Sequence, residues 1–155
     1  IEAGYKCNMT DIAAAMGLAE MKKYDKETLP KRKYICERYS HAFLNFDWSE
    51  IPLQKNSQRE SSYHLYPLRI KNITEEQRNK IIRKIFDRNV SVNVHFIPVP
   101  MMSAYKKLGY KIENYPNAYN NFSGEISLPV FFGLADKQID VVIKTVVKSV
   151  EEIIA

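Results

Sequence analysis

The chain has 155 residues, of which 45% are hydrophobic and 26% are charged, proportions typical of one globular domain with a modest core. No apolar run approaches the ~20 residues that a membrane-spanning helix needs, so no membrane span is expected. The 23 basic and 18 acidic residues give a formal net charge of +5. That charge is compatible with an anionic ligand or with nucleic acid and selects neither.

The amino-terminal third predicts two helices followed by a loop. Thr10 can cap a short first helix, whose apolar residues recur at helical spacing. A second helix is expected to start within residues 25–30 and to carry its apolar face as far as Phe43. Residues 54–62 are polar and lack a hydrophobic period, which predicts a surface loop.

The remainder predicts a strand, a helix, a second strand and a terminal helix. Residues 63–70 indicate a strand in which Pro67 marks an edge or a bulge. The sequence TEEQ, which starts at Thr74, is a capping box ahead of regularly spaced apolar residues and predicts a helix. Residues 90–96 alternate between apolar and polar, as in a half-buried strand. Residues 139–154 carry apolar side chains three and four apart, which favours a helix.

The two cysteines, Cys7 and Cys36, have no metal-type spacing and are too few for a disulfide scaffold. We interpret both as free thiols in a reducing cytoplasm, where we expect the protein. A single bridge between them is the alternative that the sequence leaves open.

The sequence contains no self-sufficient active site. A Gly-rich phosphate loop and the motifs HExxH, CxxC and GxSxG are all missing. The three histidines, His41, His64 and His95, lie far apart without a carboxylate at ligand spacing, so no metal site is predicted. Most lysines lie on polar helix faces or in loops, whereas a Schiff-base lysine needs a desolvated setting that lowers its pKa.

Four segments resemble, in the same order, the DegT/StrS family of pyridoxal-phosphate-dependent sugar aminotransferases. They are GYKCNMTDIAAAMGLAEMKKYD at 4–25, HLYPLRI at 64–70, VNVHFIP at 92–98 and ISLPV at 126–130. The resemblance implies a carboxy-terminal fragment that lacks the large domain with the cofactor lysine. Residues 1–24 would be the interdomain segment and first helix, and residues 25–155 the small domain of a fold-type-I enzyme. That domain is α+β, with a small, mostly antiparallel sheet packed by helices.

The resemblance implies that the cofactor is held largely by residues outside this chain. In the family the Schiff-base lysine, the aspartate at the pyridine nitrogen and the ring-stacking aromatic lie in the large domain. No catalytic residue is therefore expected here, and the fragment alone is expected to be inactive and to bind no pyridoxal phosphate. The first segment implies that Lys6 and Asn8 reach the cofactor phosphate across a homodimer interface. A cation and an amide ahead of a helix N-terminus suit a phosphate dianion.

The resemblance also implies a substrate site. His95 matches the first histidine of the family's VHYxPxH segment and is expected to contact the sugar, with Tyr63 and His64 near the same side. Pro100 stands where many members have a second histidine, and Tyr119 stands where many have a glutamate. Without the resemblance, the sequence favours a hydrogen-bonded structural role for His64 and a solvated surface position for Lys6, and it leaves both roles open for His95.

The implied activity is transfer of an amino group, from glutamate, to a keto sugar linked to a nucleotide, in polysaccharide biosynthesis. The pattern GYK-x-N is closest to members that aminate a keto-pentose on UDP. One alternative is a sugar dehydratase of the same family, in which histidine replaces the catalytic lysine. Another is a non-enzymatic basic α+β domain that binds nucleic acid, although the chain lacks the aromatic-rich pattern of an RNA-recognition sheet. We expect no nucleic-acid partner.

Overall fold

The computed structural model describes residues 8–154 as an α+β domain with a small antiparallel sheet. A π-helical segment, Tyr24–Thr28, joins the first two helices. No helix in the described part of the chain is long and apolar enough to cross a membrane. The helices are α1 (Asp11–Lys23), α2 (Leu29–Phe43), α3 (Glu75–Phe86), α4 (Ser103–Lys107), α5 (Pro116–Ser123) and α6 (Asp136–Ile154), and the strands are β1 (Ser49–Glu50), β2 (Tyr66–Ile70) and β3 (Glu125–Leu128).

The sheet has the order β1-β2-β3, and both pairings are antiparallel. Strand β3 pairs along β2 from Tyr66 to Arg69, whereas β1 pairs only with Arg69 and Ile70. At Pro67, β2 therefore pairs with β3 but not with β1. A residue without an N–H donor is tolerated there because its free side needs no backbone hydrogen bond. Strand β2 is the middle strand of the sheet, so the predicted edge or bulge holds only locally, in that Pro67 itself has a strand partner on one side.

The core forms where α2, α3 and α6 pack with the sheet. Side chains from all four elements are fully buried, among them Phe43, Leu68, Ile81 and Val146. Burying an apolar side chain of this size contributes roughly 1.5–3 kcal/mol. The apolar positions spaced three and four apart in α3 and α6 supply most of the helical part of this core, as their sequences predict.

The predicted strand over residues 90–96 is wrong. Only Asn93 forms a bridge, antiparallel to Ser127 of β3, with N···O distances of 3.2 and 2.7 Å. The alternation is real, because Val90 and Val92 are buried. The pairing with β3 ends at Asn93 because side-chain oxygens accept hydrogen bonds from the next two backbone amides. Oδ1 of Asn93 accepts from the amide of Val94, and the carboxylate of Glu125 accepts from the amide of His95.

Helix α1 leaves the core and has no buried residue. The predicted cap is confirmed, because the Thr10 hydroxyl accepts a hydrogen bond from the Ala13 amide at 3.3 Å. Its apolar side chains are exposed, with Ile12 at 78%, Met16 at 67% and Met21 at 73%. The helix runs through the π-helical segment directly into α2, so the predicted boundary after residue 24 falls within one helical run. As a domain boundary it stays a prediction.

Candidate functional site

Two of the predicted substrate residues, His64 and His95, line one cleft of about 290 Å³. The remaining walls come from residues 91–93 and residues 127–130. His64 precedes β2, and His95 follows the bridge to β3, so the sheet brings together two histidines that are distant in sequence. Both side chains are exposed to solvent. The cleft can therefore present two imidazoles to a polar ligand.

The backbone at His95 is fixed by a buried carboxylate. The His95 amide donates to Oε2 of Glu125 at 2.9 Å, and the Ser127 hydroxyl donates to the other carboxylate oxygen. Glu125 is 4% exposed, and this burial raises its pKa, while its hydrogen bonds act in the opposite direction. This contact uses the backbone amide of His95 and does not engage its imidazole.

Behind Glu125 lies a buried arginine, Arg78 of α3, which is 2% exposed. Its Nη1 donates to the backbone carbonyl of Glu125 at 3.3 Å, and its Nη2 lies 3.7 Å from a carboxylate oxygen of Glu75. The guanidinium also sits over the ring of Phe122, 4.7 Å from the centroid. Burial lowers the pKa of Arg78, and the two carboxylates oppose that effect. The sequence analysis missed both Arg78 and Glu125.

Tyr63, the third predicted substrate residue, lies outside the cleft although it adjoins His64. It is 3% exposed, and its backbone has a positive φ of 53°. Its hydroxyl donates to Glu60 at 3.0 Å, and its carbonyl is 4.0 Å from the thiol of Cys36. Burial, followed by the hydrogen bond to Glu60, raises the pKa of Tyr63 to about 12. The phenol of Tyr63 is thus buried beside the loop at 54–62 and does not line the cleft.

A second cavity, of about 410 Å³, also has His95 in its wall. Arg59 and Arg69 contribute positive charge, and Phe96 contributes an aromatic ring that is 65% exposed. The cleft and this cavity therefore share His95 as a common wall. We call the 410 Å³ space the arginine cavity.

Of the two predicted cofactor residues, only Asn8 falls within the described part of the chain. Lys6 lies outside the described residues. Asn8 is exposed, precedes the cap of α1 and lines neither the cleft nor the arginine cavity. Every lysine within residues 8–154 is exposed or half-buried, and none lines either space. The described residues thus offer no desolvated lysine for covalent bonding to a cofactor.

Within the part of the chain that the structure describes, the remaining thiol and acidic groups form no second reactive site. Cys36 is a free, buried cysteine, and burial, aided by Glu37, raises its pKa to about 12. A thiol with that pKa is a poor nucleophile. Cys7 lies outside the described residues. Within residues 8–154 no three His, Cys, Asp or Glu side chains come together as metal ligands.

The chain belongs to the DegT/DnrJ/EryC1/StrS aminotransferase family, whose sequence model matches residues 1–147. It is 35% identical over 146 residues to the spore coat polysaccharide biosynthesis protein SpsC of Bacillus subtilis, covering 92% of this chain and 37% of SpsC. It is 33% identical over 130 residues to a UDP-4-amino-4,6-dideoxy-N-acetyl-beta-L-altrosamine transaminase of Campylobacter jejuni, covering 83% of this chain and 34% of that protein.

The fold has a counterpart in Spr1654 of Streptococcus pneumoniae, which is classed as a sugar aminotransferase. The apo form superposes with a TM-score of 0.92 at 38% identity, covering 99% of this chain and 38% of that protein. Spr1654 is also known in forms with PLP and with PMP. The predicted small domain of a fold-type-I enzyme is confirmed. The chain spans less than two-fifths of the length of these relatives.

Proposed function

We propose that this chain is the small-domain part of a pyridoxal-phosphate-dependent aminotransferase that moves an amino group from glutamate to a nucleotide-linked keto sugar. Family membership carries this proposal, together with the names of the relatives: one is a UDP-sugar transaminase, and Spr1654 occurs with PLP and with PMP. The cleft between His64 and His95 supports it, because two imidazoles can hydrogen-bond the hydroxyls of a sugar.

In this account His95 contacts the sugar, and the hydrogen bond from its backbone amide to Glu125 fixes the main chain from which the imidazole projects. Ordering the main chain before binding lowers the entropy cost of forming the complex. His64 lines the same cleft. Tyr63 supports the site through its hydrogen bond to Glu60, while direct contact with the substrate stays a prediction.

The cofactor supplies the carrier that takes the amino group from the donor and passes it to the acceptor. Since none of the described lysines is buried, we place the lysine that bonds to it in the large domain of the longer protein. Lys6 and Asn8 are proposed to reach the cofactor phosphate of the partner subunit in a homodimer. The exposed position of Asn8 ahead of α1, and the exposed apolar side chains of α1, support a role outside this domain's own cleft.

The direct test measures the transfer of ¹⁵N from glutamate to the sugar. The full-length protein, loaded with pyridoxal phosphate, is given ¹⁵N-glutamate and a UDP-linked 4-keto sugar, and the nucleotide sugar is examined by mass spectrometry. The proposal expects ¹⁵N in the sugar and 2-oxoglutarate as the second product. A dehydrated sugar without nitrogen would assign the protein to the dehydratases of the family instead. The isolated chain is expected to give neither product.

A further inference from the structure

The loop at residues 54–62 is polar in sequence, yet its backbone is held by a dense set of hydrogen bonds. Oδ1 of Asn56 accepts from the amides of Gln58 and Arg59, each at 2.9 Å. The backbone amide of Asn56 donates to the backbone carbonyl of Arg59, also at 2.9 Å, and Lys55 forms an antiparallel bridge with Glu60. This is a side-chain-capped turn, and it fixes the residues at its tip.

Glu60 attaches the same loop to the body of the domain. Its carboxylate accepts from Lys55 at 2.6 Å, from the Tyr63 hydroxyl at 3.0 Å and from Lys33 of α2 at 3.3 Å. Hydrogen bonds from Lys55, Tyr63 and Lys33 lower the pKa of Glu60 to about 2, so the carboxylate stays ionised at any working pH. The loop is therefore tied both to the second helix and to the residue that adjoins His64.

Arg59 lies between these two attachments. Within residues 8–154 its side chain makes no hydrogen bond and no ion pair, and it lines the arginine cavity together with His95. A loop that is held at the residues on either side of an unpaired guanidinium positions that charge. The turn and the contacts of Glu60 thus stabilise the loop and also place the charge of Arg59 at the cavity.

The other charges around the cavity leave a site suited to an anion. Arg69 is held in the wall by hydrogen bonds to Glu50 and Asn121. The one acid in the wall, Glu125, has both oxygens occupied by the His95 amide and the Ser127 hydroxyl, and it faces the buried Arg78. Of the two arginines in the wall, Arg59 is the one whose charge has no partner within residues 8–154.

We propose that the arginine cavity binds the diphosphate of the nucleotide-sugar substrate, with Arg59 as its principal charged contact. This inference rests on the proposed function, because it assigns part of the same substrate. Guanidinium groups match phosphate oxygens in geometry and charge, and the exposed Phe96 ring offers a flat apolar surface beside them. Since His95 lines both spaces, the sugar occupies the cleft on one side of it and the diphosphate the cavity on the other. The cavity volume of about 410 Å³ lies in the range of small-molecule sites.

The test measures binding of UDP and GDP to the full-length holoenzyme by calorimetry, using whichever nucleotide the wild-type protein binds more tightly. Arg59→Ala should weaken that binding about tenfold, the effect of one exposed charge-assisted contact, and Arg59→Lys should recover part of it. Arg83→Ala is the matched control, because Arg83 is also an exposed arginine and lies outside both spaces. The rate of the glutamate half-reaction should not change in any of the three variants.

Several results would overturn the assignment. The assignment is contradicted if the wild-type enzyme binds neither nucleotide, if Arg59→Ala binds the nucleotide within twofold of the wild-type affinity, or if Arg83→Ala loses as much affinity as Arg59→Ala. A selective fall in the glutamate half-reaction would mean that the cavity holds the amino donor's carboxylate. If Arg59→Ala does not fold, Arg59→Gln replaces it. Because binding needs no turnover, a loss of diphosphate affinity is observed even if ¹⁵N transfer fails, so the two proposals fail separately.

Discussion

The amide of His95 donates a 2.9 Å hydrogen bond to the buried carboxylate of Glu125, and this contact links the candidate sugar cleft to the core. The carboxylate occupies the position where a strand partner would otherwise pair. Strand β3 and the segment before α4 thus separate after the bridge at Asn93, and the separation leaves His95 in the wall of two cavities. The site depends on a side chain that interrupts the sheet.

Replacing Glu125 should reveal this dependence. Glu125→Ala leaves the His95 amide without its partner and should lower the free energy of unfolding by about 1–3 kcal/mol. It should also raise KM for the keto sugar. Glu125→Gln retains an oxygen acceptor and should keep KM near the wild-type value. Urea denaturation and steady-state kinetics measure the two effects, and equal KM values in both variants would remove Glu125 from the site.

Glu125 also predicts a pH effect of defined sign. Its folded-state pKa is raised by burial above the unfolded value, so the folded state binds the proton more tightly. Its contribution to stability should therefore fall as pH rises from the unfolded pKa, 4.5, through the raised folded value. Glu125→Gln, which cannot ionise, should lack this fall in a series of melting curves. An unchanged pH profile in that variant would show that the buried carboxyl has no such linkage.

For Glu60 the stability should depend on pH in the opposite direction, falling as the solution becomes more acidic. Its pKa is lowered from 4.5 to about 2, so the stability it contributes is complete above the unfolded value and is lost as pH falls from 4.5 to about 2. Glu60→Gln should flatten stability in that window. Because Lys33 and Lys55 meet at this residue, the variant should also make the 54–62 loop more sensitive to proteolysis. Glu152→Gln removes another carboxylate whose pKa is about 2, between α3 and α6, and should leave the loop intact.

Cofactor retention tests the two residues ahead of α1. Replacing Lys6 or Asn8 with Ala in the full-length protein should weaken retention of pyridoxal phosphate by about one to two decades, the effect of losing one charge-assisted hydrogen bond of roughly 1.5–3 kcal/mol. Dialysis followed by absorbance of the bound cofactor gives the measurement. Because the residues are proposed to act across the dimer, mixed dimers of variant and wild-type subunits should recover only some sites. Unchanged retention in both variants would contradict the phosphate assignment.

Local signals in the sequence predicted several elements well. The capping box at Thr74 is present in full, with hydrogen bonds of 3.2 and 2.9 Å to and from Gln77. Spacing alone identified α6, and polarity alone identified the 54–62 loop. These features depend on neighbouring residues, which is why one sequence suffices to find them.

The features that were missed depend on distant partners. Strand β3 has only four residues, and although Glu125 and Ser127 alternate with Ile126 and Leu128, the run is too short to mark a strand and gives no sign that its polar residues are buried. Arg78 reads as part of a charged helix surface, although its spacing of three and seven residues from the buried Ile81 and Ile85 placed it on the apolar face. That spacing was the one available signal for a buried arginine. Nothing local to residues 90–96 revealed that Glu125 would take the place of a strand partner.

The most direct test of the central claim, that the cleft at His95 receives the sugar, separates the two half-reactions of the full-length enzyme. His95→Ala should raise KM or lower kcat for the keto sugar and leave the glutamate half-reaction nearly unchanged, as expected when one of two alternating substrates loses a contact. His41→Ala is a suitable control, because His41 is exposed on α2 and lines neither the cleft nor the arginine cavity. If both half-reactions of His95→Ala fall equally, or if the variant only loses its fold, His95 is a structural residue and the claim is wrong.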